Sequence, residues 1–176
     1  MTARQCGTTN VGLADIIEQS NPSMAGQTKP QRFKRPASVL VVVFTRAGEF
    51  LLMQRTRPAH FWQSVTGSLR PGENPRLAAV RELREETGLL GSGQLIDLHQ
   101  SRLFPIIRAW RARYRKNHCF NREYWFALPL PGRRLIRLNT LEHSDYQWLH
   151  LGRALELASS RTNRDAMRLL AGGTLA

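Results

Sequence analysis

Between Thr66 and Leu90 the chain reads TGSLRPGENPRLAAVRELREETGLL, and within it Glu82, Glu85 and Glu86 set three carboxylates inside five positions. Asn74 is a good N-cap, Pro75 suits a first helical turn and Gly88 suits the position just past a helix end. Together they predict a helix from Pro75 to Thr87. On that helix Leu77, Val80, Leu83 and Thr87 share one face, and the glutamates gather opposite within an arc of roughly 100°. Like charges three and four positions apart weaken a helix by about a few tenths of a kcal/mol each. Arg81 is next to the cluster in sequence, but adjacent positions do not face each other well. One reading is a solvated charged face laced with Glu–Arg pairs, the commoner outcome for a generic helix. The other is a divalent cation that resolves the repulsion, and an all-oxygen ligand set suits Mg²⁺ or Mn²⁺. The Gly-bearing loop TGSLRPGE ahead of the helix can present backbone groups and Glu73 toward the same carboxylates.

The apolar runs on either side must supply the elements that position this helix. ASVLVVVFT is an almost continuous β-branched run, the mark of a buried strand. RAGE makes a turn into a second strand, FLLMQR, and WQSVTG leads as a strand into the helix. QLIDLHQ, EYWFALPL, LIRLN and YQWLHL follow as strand candidates, then RALELASS and NRDAMRLLA as short helices, the second capped by Asn163. Trp62 and Trp125 read as core. Strands before and after a central helix, with helices at the end, predict an α/β protein with a mixed sheet between helical layers. Residues 1 to 30 are rich in Gly, Ser, Thr, Asn and Gln with one apolar patch at Leu13, Ile16 and Ile17, which predicts a poorly ordered extension holding at most a helical turn. Residues 31 to 176 form the single folded domain of this reading.

Composition narrows the setting. A hydrophobic fraction of 41% suits an ordinary globular chain. No apolar run approaches the roughly 20 residues that span a bilayer, and no apolar stretch follows a basic start as in a secretory leader. Cys6 and Cys119 lie far apart, which argues against a disulfide framework and for a reducing, cytoplasmic setting. The net charge of +13 attracts polyanions such as nucleic acid, an anionic membrane or a phosphate-rich small molecule. Charge alone does not choose among these, and many basic chains merely carry solvated basic faces.

Gly67, Glu73 and the run Arg81-Glu82-Leu83-Arg84-Glu85-Glu86-Thr87-Gly88-Leu89, taken with their spacing, resemble the Nudix box, the signature of the Nudix hydrolases. The resemblance implies an α/β/α sandwich with a mixed sheet. It also implies metal-dependent hydrolysis of a nucleoside diphosphate linked to another group. By position, Glu82, Glu85 and Glu86 match the metal-binding and base-supplying carboxylates, with Mg²⁺ or Mn²⁺ as cofactor. Arg81 and Glu73 match the residues that orient and brace them, and the Gly67 carbonyl one that reaches a metal.

Outside the box, KRPASVLVVVF, LLMQR, FWQSVTGS, NREYWFALPL, LEHSDYQWL and NRDAM are similar to one bacterial branch of that family, over roughly residues 33 to 170. That branch removes pyrophosphate from 7,8-dihydroneopterin triphosphate in folate biosynthesis and also accepts nucleoside triphosphates such as dATP. On this resemblance Lys34, Arg55 and Thr66 are substrate contacts, Phe104, Pro105, Ile106 and Ile107 a recognition segment, and Ser160 a further contact. Glu142 is the metal ligand from outside the box. Each has a plainer reading: surface cations for Lys34 and Arg55, a strand residue for Thr66, core for Phe104, Ile106 and Ile107, a bend for Pro105, a helix N-cap for Ser160, and a loop pair for Glu142 with His143.

Two departures keep other partners open. Arg70 and Pro71 stand where this branch often has acids. From Arg102 to Lys116 the chain carries six Lys and Arg, no acid, and Phe104, Trp110 and Tyr114 interleaved. Such alternation suits stacking and phosphate contacts with nucleic acid, or equally a wall facing a phosphate and a pterin. The expected partner is a small-molecule triphosphate, with no membrane; nucleic acid stays open as a partner but is not the expected one. Beside it stand a Nudix enzyme acting on an RNA 5′ end or a damaged nucleotide, and a non-catalytic nucleic-acid-binding protein on the same fold.

Overall fold

The computed structural model describes residues 33 to 173 except 92 and 107, so the expected extension over residues 1 to 30, Cys6 and Ile107 lie outside the described residues. The run ASVLVVVFT is β1 (Ala37–Thr45), and its composition follows from burial on both faces. Alternate residues of a strand point to opposite sides. Val39, Val41 and Val43 therefore enter one core, and Leu40 and Val42 enter a second.

β2 (Glu49–Arg55) pairs antiparallel with β1 after a tight turn in which Gly48 takes a φ of 73°. β3 (Trp62–Gln63) and β7 (His143–His150) pair with β2, and β4 (Val65–Ser68) pairs with β1. β6 (Phe120–Leu130) lies parallel to β1 and carries β5 (Ile96–Pro105) antiparallel at the edge. The parallel β1–β6 pair makes the seven-stranded sheet mixed. α1 (Pro75–Thr87) covers one face, setting Ala78, Ala79 and Leu83 against Val39, Val41 and Phe126. α2 (Leu151–Leu157) and α3 (Arg161–Gly172) cover the other, where Ala154, Ala166 and Met167 meet Leu40, Trp62 and Trp125. The result is the expected α/β/α sandwich.

The ends of α1 fall where the sequence predicts them. Asn74 Oδ1 accepts from the Leu77 amide at 2.9 Å, and Gly88 closes the helix at a φ of 73°. Its buried face is a different one. Leu77 is 59% exposed and Val80 only half-buried, whereas Glu82 and Glu86 are buried beside Leu83. Other expectations also shift. WQSVTG breaks at Ser64, because β3 and β4 pair with different strands and the Ser64 amide donates to Asn163 Oδ1 at 2.7 Å. LIRLN is extended but joins no strand: the Arg137 and Asn139 amides donate to the Thr87 and Glu86 carbonyls, satisfying the C-terminal end of α1. Ser160, not Asn163, caps α3, its hydroxyl accepting from the Asn163 amide at 3.1 Å. The 3₁₀ turn Arg108–Arg113 folds back so that the Arg113 carbonyl accepts from the Lys34 amide at 2.8 Å.

Two substitutions separate the observed inner face of α1 from the one read off the helical wheel. Leu83→Gln should destabilise the fold by about 3 kcal/mol in urea denaturation through lost burial and an unmatched amide. Leu77→Gln should change it by no more than about 0.5 kcal/mol. Equal costs at both positions would contradict the packing described.

Candidate active site

The geometry of the carboxylate helix begins at Gly67 on β4. A Cβ there would overlap the Glu82 carboxyl group, so only glycine allows this glutamate to lie flat against the strand. Glu82 is thereby held between α1 and the sheet, and burial pushes its pKa up to about 7 even though Arg81 pulls it down. Glu86, one turn on, has no exposed surface, and burial raises it well above the ordinary carboxylate range. The neighbouring Glu142 charge adds to that rise, while the Thr66 amide and Arg55 oppose it.

Arg81 organises the outer part of the cluster. Its Nε and Nη2 grip the two oxygens of Glu73 at 2.8 Å each, and Nη2 also donates to the Ser68 carbonyl at 3.2 Å. Nη1 reaches Glu82 at 2.6 Å and Glu85 at 3.2 Å. The adjacent pair Arg81–Glu82 therefore does meet, contrary to expectation, because both side chains bend toward the β4 loop. Glu73 also accepts from the Arg70 amide at 2.8 Å, and the Arg81 fork holds its pKa down to about 2. Glu85 is the exposed member, bridging Arg81 and Arg70.

Deeper in, Glu86, Glu142 and His143 bring one ligand atom each within 4.8 Å of one another. His143 Nε2 stands 3.3 Å from Glu86 Oε2, yet neither Glu86 oxygen makes a hydrogen bond of good geometry with the described residues. Burial and the Arg55 charge lower the His143 pKa, so the imidazole is not the missing cation. A buried carboxylate without such a counter-charge is costly, and a divalent cation held by Glu86 and Glu142 fits this donor set. His143, absent from the expected ligand set, belongs to the group; the EH pair in the sequence was its only signal.

A cavity of about 770 Å³ opens beside these carboxylates. Glu82, Glu85 and Glu142 line it, as do Lys34, Arg55 and Thr66. Phe104, Ile106 and Ser160 line it as well, so Ser160 both caps α3 and faces the cavity. Pro105 does not: it is exposed, since strand alternation turns it away from the side that Phe104 and Ile106 share. From the basic aromatic segment, Trp110, Arg113 and Tyr114 line the cavity, while Arg108, Arg111 and Arg115 are exposed. Asn121 and Glu123 on β6 are also in the wall; NREYWFALPL contains both, but the resemblance assigns neither a role.

The raised Glu82 pKa has a stability consequence in metal-free protein. Its unfolded value is the ordinary 4.5, so the stability present below about pH 4.5 is lost as pH rises toward about 7. His143 works in the opposite sense, and comparison with Glu82→Gln cancels its contribution. In EDTA the variant should melt above the parent by a margin that opens between pH 5 and 7.5 to roughly 5 °C and then levels off. A margin that does not change with pH would show that Glu82 is not desolvated.

The NUDIX domain model matches residues 34–170. A dihydroneopterin triphosphate diphosphatase of Escherichia coli (strain K12) is 38% identical over 143 residues, 79% of this chain and 94% of that protein. One from Haemophilus influenzae is 34% identical over 141 residues, 78% and 88% of the two chains. The solved structure of the E. coli dihydroneopterin triphosphate pyrophosphohydrolase superposes with a TM-score of 0.72 at 38% identity, covering 78% of this chain and 95% of that one. A carboxylate helix of this spacing, on this sandwich, with relatives of this identity along most of its length, makes the chain a member of the Nudix hydrolase family.

Proposed function

We propose that this pyrophosphohydrolase cleaves 7,8-dihydroneopterin triphosphate to the monophosphate and pyrophosphate, with dATP as a secondary substrate and Mg²⁺, or Mn²⁺, as cofactor. The observation that carries the reading is one cavity in which clustered carboxylates, cations and an apolar wall meet. Lys34 lines it, and desolvation with the Arg113 charge lowers its pKa. Glu82, Glu142, Arg55 and Arg113 all act on it, so it sits between the carboxylates and the cations. Lys34, Arg55 and Arg113 suit a polyphosphate; Phe104, Ile106 and Trp110 suit a flat ring. The relatives named for dihydroneopterin triphosphate support that ring.

Glu82, Glu85, Glu86 and Glu142 would hold the divalent metal, which supplies charge neutralisation and water activation when bound. Arg81 keeps Glu82 and Glu85 oriented, and Glu73 fixes Arg81 through its two-pronged bond. A carboxylate of this cluster takes the proton of the attacking water, and the cations face the departing pyrophosphate. The basic aromatic segment supports a small molecule over nucleic acid, because its Trp110, Arg113 and Tyr114 turn into the cavity.

Turnover in EDTA should vanish and return with Mg²⁺, releasing pyrophosphate with no orthophosphate. Glu82→Gln should lower kcat by about 100-fold or more at saturating Mg²⁺, equivalent to about 3 kcal/mol of transition-state stabilisation. Stepwise orthophosphate release, or preference for 5′-triphosphorylated RNA in a substrate panel, would contradict the assignment.

A further inference from the structure

Glu123 is a buried acid that no step of the hydrolysis uses. It lies on β6 opposite Ser38 of β1 and Arg102 of β5, is only 5% exposed, and lines the cavity. Its Oε1 accepts from Trp125 Nε1 at 3.2 Å, and the Thr162 hydroxyl is its other partner. Among the described residues no lysine or arginine forms an ion pair with it. Arg102, its cross-strand neighbour, instead stacks over the Trp125 ring at 4.9 Å. The contrast with the other carboxylates is sharp: Glu73, Glu82 and Glu85 share Arg81.

Strand alternation places Asn121 and Glu123 on one side of β6, and Phe104 pairs with Asn121 across the strands. Asn121 is held in turn by its bond to the Ser38 hydroxyl at 2.7 Å. This part of the wall is polar, and its cross-strand cation, Arg102, is engaged with the Trp125 ring instead of pairing with Glu123. A carboxylate offers about four acceptor sites, and Trp125 and Thr162 engage two of them. A ligand edge with two neighbouring N–H donors would fill the rest as a two-pronged, charge-assisted pair.

We propose that Glu123 is the specificity-determining residue for the ring of the substrate, pairing with the adjacent ring N–H and 2-amino donors of a 2-amino-4-oxopyrimidine edge. A pterin presents that edge. Adenine presents one amino donor beside a ring-nitrogen acceptor, which faces a carboxylate unfavourably, so Glu123 also disfavours dATP. The proposal rests on the triphosphate-hydrolase reading above, and the phosphates remain the business of Lys34, Arg55 and the carboxylate cluster.

Glu123→Gln tests this, because the amide oxygen can still accept from Trp125 while one acceptor becomes a donor. Two readouts are needed: the ratio of kcat/KM for 7,8-dihydroneopterin triphosphate over dATP, and binding of phosphate-free 7,8-dihydroneopterin by fluorescence titration. The ratio should fall by about 30-fold or more and binding should weaken by about tenfold or more, with the melting temperature nearly unchanged. An unchanged ratio, or unaltered 7,8-dihydroneopterin binding, would overturn the role. If the parent hydrolyses neither triphosphate, the substrate reading itself fails, and the binding titration still decides whether Glu123 holds a pterin.

Discussion

The constraint on which the rest of this structure depends is the burial of two carboxylates, Glu82 and Glu86, between a helix and a sheet that offer Glu86 no full charge partner. Burial of this kind is unfavourable for the metal-free chain and raises both pKa values. Several local features make it tolerable. Gly67 removes the side chain that would clash with Glu82. Arg81, fixed by Glu73, compensates the outer part of the cluster, and the Asn139 amide satisfies the Glu86 carbonyl. The inner part keeps its need for positive charge, and that need is what fits it to a divalent cation.

The sandwich serves this arrangement directly. β1 is buried on both faces and so ties α1 on one side to α2 and α3 on the other. The cavity draws on both sides of that strand: carboxylates from α1, and Ser160 with its neighbours from the start of α3. β7 begins at His143 and brings Glu142 and His143 up against Glu86, which explains why residues more than fifty positions apart meet. The edge hairpin of β5 and β6 adds an apolar wall and the buried Glu123.

Much of this was legible in the sequence where local chemistry decides structure. The caps of α1 depend on Asn74, Pro75 and Gly88 alone, and β1 on an unbroken apolar run, so both were readable without knowing the fold. The carboxylates were readable through their spacing. What escaped depends on tertiary placement. Leu77 is exposed because α1 rolls its glutamate flank toward β4, and a helical wheel ranks faces by hydrophobicity alone. Arg81 meets Glu82 because the β4 loop draws both side chains to one side. LIRLN has the composition of a strand, but its amides are taken by the end of α1. Pro105 faces outward by strand parity, which no composition reports. Glu123 lies in NREYWFALPL, whose resemblance assigns it no role, and its interest arises only from its place in a cavity wall where, among the described residues, no cation pairs with it.

As folded, the carboxylate cluster is short of positive charge, a need that a divalent cation would meet. With Glu82 pushed up to about 7, and burial raising Glu86 well above the ordinary carboxylate range, cation binding at pH 6.5 must displace protons from this cluster. Titration calorimetry with Mg²⁺ in buffers of different ionisation enthalpy measures that number. Release of about half a proton or more per protein is expected at pH 6.5, falling as pH rises through 7 and reduced in Glu82→Gln. Mg²⁺ binding that releases no protons at pH 6.5 would contradict it.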